Sequence, residues 1–88
     1  SSQYDDLVNL AEQHRLEEVM ARLDDLLIRD GKEGGLLKEL GKYQQTFHQI
    51  KEWENYNSLS QQELKGKWND LGNRLSLFID RVAAAIPA

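Results

Sequence analysis

"NSLSQQELKGKWNDLGNRLSLFID", residues 57–80, decides the fold. Ser60 precedes a helical pattern, and Glu63 stands three residues later, which is a capping box: the serine side chain accepts from the backbone amide of Glu63 while the glutamate reaches back to the amide of Ser60. Leu59 before the cap and Leu64 at the fourth helical position can close a hydrophobic staple. Beyond the cap, Leu64, Trp68, Leu71, Leu75, Phe78 and Val82 alternate four and three apart, a seam that faces one neighbouring helix. Leu77, Ile79 and Ile86 fall off the seam, so the C-terminal half is expected to be buried on more than one side, against the first two helices.

Working outward, Leu36, Leu37, Leu40, Tyr43, Phe47 and Ile50 define a helix upstream of that turn, with Trp53 and Tyr56 extending it to "NYNS" at 55–58, where two asparagines and a serine favour a turn. The short connection makes the two helices antiparallel. Trp53, Tyr56 and Trp68 gather around the turn and are expected to be end-of-bundle core. Further upstream, Leu16, Val19, Met20, Leu23, Leu26 and Leu27 form a clear amphipathic face, with Glu18, Arg22, Asp25 and Arg29 placed to pair along the other side. In "RDGKEGG" at 29–35, Gly31 suits the left-handed position after a helix end, and Gly34–Gly35 read as a flexible joint. A short first helix, capped by Asp5 or Asp6 and carrying Leu7, Leu10 and Ala11, ends near His14. Gly41 and Gly72 fall inside helices, where close approach of two backbones would explain them.

The fold class is therefore all-α: a compact antiparallel bundle of four helices, read as one domain over residues 1–88. Leu, Glu, Gln and Lys outnumber Val and Ile, and the one proline is Pro87, which leaves the helices free of their strongest breaker. The chain has no cysteine, so disulfides and thiolate metal sites are excluded. No apolar run approaches the roughly 20 residues of a membrane span. A membrane partner is not expected, and the composition fits the cytoplasm. The ends, "SSQYDD" and "AAAIPA", read as those of a module excised from a larger protein.

The net charge of −4 is unevenly spread: residues 1–30 hold eight acids against three arginines, whereas residues 61–88 hold three acids against four bases. An acidic chain is a poor partner for nucleic acid. Catalytic patterns are missing as well. His14 and His48 lie on different predicted helices, and Glu52, four residues after His48, makes only a lone pair. Asp5–Asp6, Glu17–Glu18 and Asp24–Asp25 are adjacent pairs that point about 100° apart on a helix and do not converge. Nothing points to a cofactor or to an enzyme. One pattern does suggest a partner. Lys67, Arg74 and Arg81 repeat every seven residues beside the seam, while Glu17, Glu18, Asp24 and Asp25 carry the acidic excess of the second helix. Opposite charge on different faces permits head-to-tail association, a homo-oligomer included. It equally permits pairing inside one molecule.

Three stretches, taken in order, resemble a known series. "LAEQHRLEEVMARLDDLL" (10–27) resembles a short helix, a "g-R-hydrophobic-E-E-A" joint and an amphipathic helix. "LGKYQQTF" (40–47) resembles an "L-x-G-R-Y" third helix, and "SLSQQELKGKWNDLGNRLSLFID" (58–80) resembles a "G-T-[IL]-S-x-E-E … N-R-[IL] … L-[LF]-x-[LI]-I-D" ending. The series, over about residues 7–82, is similar to the effector-associated domains of bacterial conflict systems, grouped with the bacterial death-like domains. That resemblance implies a non-enzymatic helical adaptor. It would join NTPases, proteases or other effectors by contacts between like domains, the partner being a related domain in a fused or neighbouring protein. Gly41-Lys42-Tyr43 and Asn73-Arg74-Leu75 match the family's motif positions, and Asn73 and Arg74 point off the seam. This chain departs in two places: His14 and Asn57 stand where the family usually has glycine. The animal death fold has six helices, which a break in the third helix or a turn hidden in 29–35 would supply. A second reading, independent of the resemblance, is a chaperone or antitoxin-like protein that masks a partner's surface and shows an exposed apolar strip when free.

Overall fold

The computed structural model describes residues 3–30 and 34–87. Four helices account for nearly all of them: α1 (Gln3–Glu12), α2 (Leu16–Asp30), α3 (Gly34–Asn55) and α4 (Gln61–Ala85). Each helix packs against its neighbours in the chain, and α4 closes the ring by packing on α1. The result is an all-α bundle, with α2 and α4 across the diagonal from each other. Its longest dimension is 40 Å, set by α4, whose length at the α-helical rise is about 37 Å.

The start of α4 follows from its sequence. Ser60 adopts an extended conformation (φ −67°, ψ 163°). The Glu63 amide donates to Ser60 Oγ at 3.1 Å, and the Ser60 amide donates to Glu63 Oε1 at 3.0 Å. Those bonds hold the Glu63 carboxyl below its usual pKa, the backbone bond from Ser60 foremost. Leu64 packs on the core and Leu59 is half-buried.

The predicted seams form the core. Leu16, Val19, Met20, Leu23, Leu26 and Leu27 of α2 are all buried, as are Leu40, Phe47 and Ile50 of α3 and Leu71, Leu75, Phe78, Ile79 and Val82 of α4. Tyr4, Leu7, Leu10 and Ala11 bring α1 into the same cluster. Tyr4 is a core residue that the sequence reading missed, although it continues the stripe of Leu7 and Ala11. Its hydroxyl donates to the carbonyl of Ile86, tying the first helix to the end of the last, and burial raises its pKa.

Several expectations are corrected. The first helix begins at Gln3, so Asp5 and Asp6 lie inside its first turn rather than at the cap, where negative charge meets the positive end of the helix dipole. Gly34 and Gly35 belong to α3, not to a joint. Gly31 lies outside the described residues. The third helix runs unbroken through Asn55, and no fifth or sixth helix occurs among the described residues. The backbones do not approach closely at the glycines either. Gly41 has nothing within 4 Å of where a Cβ would stand, and a Cβ at Gly72 would lie 3.9 Å from Leu16 Cδ2, an ordinary contact. Leu77, expected inside, is 65% exposed, and Tyr56 is 79% exposed. In a four-membered ring each helix keeps one face to solvent, and Leu77 lies on that of α4.

Candidate interaction surfaces

The two joints at the ends of α1 and α3 share one geometry. After Glu12, His14 takes φ 60°, its amide donates to the carbonyl of Ala11 at 3.0 Å, and the Arg15 amide donates to that of Leu10 at 3.0 Å. After Asn55, Asn57 takes φ 53°, its amide donates to the carbonyl of Glu54 at 3.2 Å, and the Ser58 amide donates to that of Trp53 at 2.9 Å. Both are Schellman closures, with a left-handed residue one position past the helix cap. Glycine is the residue that enters the left-handed region without steric cost.

Around this scaffold the charged residues fall into two surfaces. The basic row follows the flank of α4 that borders α3, and each member has a partner inside the chain. Lys67 Nζ lies 5.5 Å from the centroid of the Trp53 ring. Arg74 Nε lies 3.1 Å from Asp70 Oδ2, with both side chains exposed. Arg81 is held most firmly: Nη1 donates to Glu39 Oε1 at 2.8 Å, and Nη2 donates to Glu39 Oε2 and, at 3.3 Å, to the Tyr43 hydroxyl. Tyr43 in turn donates to Glu39 Oε2 at 2.7 Å and meets the Phe78 ring edge-on at 5.3 Å, with the Arg81 guanidinium 5.5 Å from the Phe78 centroid. This cluster clamps α3 to α4. The hydrogen bond from Arg81 lowers the Glu39 pKa, while burial, with Glu39 beside it, raises that of Tyr43. Arg81 is thereby a structural residue first. Asn73 is exposed on the adjoining strip of α4.

Sequence reasoning missed two members of the basic surface. Lys38 and Lys42 of α3 join Arg74 around a shallow hollow of about 450 Å³ between α3 and α4, floored by Tyr43 and Thr46. Their spacing of four residues was the available signal. Leu77 lies between Arg74 and Arg81, an exposed apolar side chain within the cationic row.

The acidic surface is the outer face of α2. Glu17 and Asp25 are exposed there and Asp24 is half-buried. Glu18 pairs with Arg15 at 3.1 Å and with Arg22 at 3.9 Å. Arg29 donates to the Asp25 backbone carbonyl rather than to a carboxylate, so the expected chain of surface pairs is half made. Ile28 stands exposed (59%) on this face. Each charged surface therefore carries one exposed large apolar residue.

A third feature is an open groove of about 720 Å³ where the α1–α2 joint meets the end of α3 and the start of α4. Phe47 and Trp68 pack at 5.2 Å beside it, and Lys51 Nζ lies 5.9 and 5.8 Å from their centroids. Glu17, Glu18 and Glu54 face Arg15, Lys51 and Lys65 around it, so the lining carries no excess of either sign. Trp53 and Trp68 pack against the core as expected; Tyr56 does not. His48 stacks edge-on against Phe47 at 6.0 Å. Among the described residues, no three His, Cys, Asp or Glu side chains gather as a metal ion would require, and no helix is long and apolar enough to cross a membrane.

Comparison of the chain with protein-family models, curated proteins and solved structures gives no match.

Proposed function

We propose that the chain is a non-enzymatic adaptor of the cytoplasm that assembles effectors through contacts between like domains, in the bacterial anti-phage and programmed-death signalling that the resemblance implies. The observation that carries it is the segregation of charge. Helix α2 holds five acids, Glu17, Glu18, Asp24 and Asp25 among them, against two arginines, whereas α4 holds four bases against three acids, and Lys67 and Arg74 of α4 lie on the side where Lys38 and Lys42 of the balanced α3 add to the positive charge. Complementary surfaces of this kind raise the encounter rate and select the partner. The left-handed joints at His14 and Asn57 support the family reading, because they give glycine a physical reason at the positions where the family has it. Among the described residues, four helices instead of six set this chain apart from the animal death fold. An apolar strip, as a chaperone or antitoxin would present, is not favoured by three scattered exposed residues, Ile28, Tyr56 and Leu77.

The test is light scattering over a concentration series. The chain should associate with itself, more weakly as salt shortens the reach of surface charge to below about 10 Å. Lys67→Glu with Arg74→Glu should weaken association at least tenfold without changing the helical circular dichroism. Arg81 is left intact because it holds α3 to α4. A chain that remains monomeric at low salt and millimolar concentration overturns the proposal.

A further inference from the structure

Deepening the adaptor reading, on which it rests, we infer that the outer face of α2 in one copy docks on the outer stripe of α4 in the next, with Ile28 against Leu77. The two stripes have the same spacing. On α2, Glu18, Asp25 and Ile28 are separated by seven and then three residues; on α4, Lys67, Arg74 and Leu77 are separated by seven and then three. Each set lies along one side of its helix and spans about 15 Å. Laid side by side in the same direction, the helices bring Glu18 to Lys67, Asp25 to Arg74 and Ile28 to Leu77. Two opposite-charge pairs thus precede one apolar pair at the end of the stripe. Ile28 and Leu77 are two of the three large apolar residues exposed on the described surface.

The pairings within the chain do not block this arrangement. The half-buried Glu18 pairs with the exposed Arg15 and Arg22, and Arg74 with the exposed Asp70; such surface pairs contribute little enough to be exchanged. Arg81 is not required, which agrees with its engagement by Glu39. The two faces lie on diagonally opposed helices, so a copy docked through α4 keeps its α2 face free. The contact is heterologous and does not close on itself, and the product is a chain of copies that grows from both ends.

Blocking one face per copy tests this. Ile28→Asp disables the α2 face and leaves α4 competent; Leu77→Asp does the reverse. Each variant alone should associate at least tenfold more weakly than the unaltered chain in light scattering, with unchanged circular dichroism because both sites are exposed. Mixed in equal amounts, the two should form a capped heterodimer with the mass of two chains, and no larger species. An independent arm exchanges the charges, Asp25→Arg with Arg74→Asp in one chain. Either change alone should weaken assembly and the pair should restore it. Unaltered chain that assembles while the mixed variants stay monomeric, or while neither Ile28→Asp nor Leu77→Asp weakens assembly, overturns the docking and leaves the adaptor reading standing. Unaltered chain that never assembles overturns both.

Discussion

His14 and Asn57 show how single residues set the geometry of this bundle. Both sit in the left-handed region, which costs an ordinary residue about 1 kcal/mol, asparagine less, and glycine almost nothing. His14→Gly should therefore raise the stability measured by urea unfolding by about 1 kcal/mol, and Asn57→Gly by less. A loss of stability at His14→Gly would mean that the imidazole makes a compensating contact. Glu39 offers a second residue-scale prediction. Its pKa is lowered chiefly by the hydrogen bond from Arg81. A carboxyl with a lower pKa in the folded state stabilises the fold above its unfolded value, about 4.3, and loses that contribution as pH falls through the folded value. Unfolding followed between pH 7 and pH 2 should show a shallower acid loss in Glu39→Gln than in the unaltered chain. An identical slope would show that the clamp does not couple to protonation.

At the scale of elements, α2 and α4 were legible because their signals were local and redundant. Six apolar residues at helical spacing gave α2 its buried face without exception, and the capping box of Ser60 and Glu63 fixed the start of α4 to the residue. Legibility failed where a position's fate depended on how many helices surround it. Leu77 reads as core on hydropathy alone, yet a ring of four leaves it outside. Gly34 and Gly35 read as a joint because glycine disfavours helix interiors, but that cost is lowest in a first turn, where the amides lack intrahelical partners in any case. The candidate basic row was legible in its period of seven; Lys38 and Lys42 showed only a spacing of four, and their relation to Arg74 exists only once α3 lies against α4. The helical glycines give this scale its prediction. Gly66 is exposed and Gly41 half-buried, and neither has an atom within 4 Å of an added Cβ. Gly66→Ala should thus stabilise α4 by about 1 kcal/mol through helix propensity alone, read as a raised urea midpoint with an unchanged slope. No gain would mean that the glycine serves the free surface rather than the helix.

At the scale of the whole molecule, the order of the helices matters more than their number. Neighbours in sequence are neighbours in space, and the packing of α4 on α1 joins the two ends of the described chain. The bond from the Tyr4 hydroxyl to the Ile86 carbonyl, 82 residues away along the chain, belongs to that closure. Its consequence is temporal. In synthesis α1 precedes α4, and the part of the Tyr4, Leu7, Leu10 and Ala11 face that packs on α4 stays open until α4 has emerged, while α2 can cover the rest. Helices α1, α2 and α3 can pair as they appear, but the α4-facing sides of α1 and α3 wait for the last helix. The nascent module therefore keeps one apolar side of α1 open until late, and closes its ring in a last step.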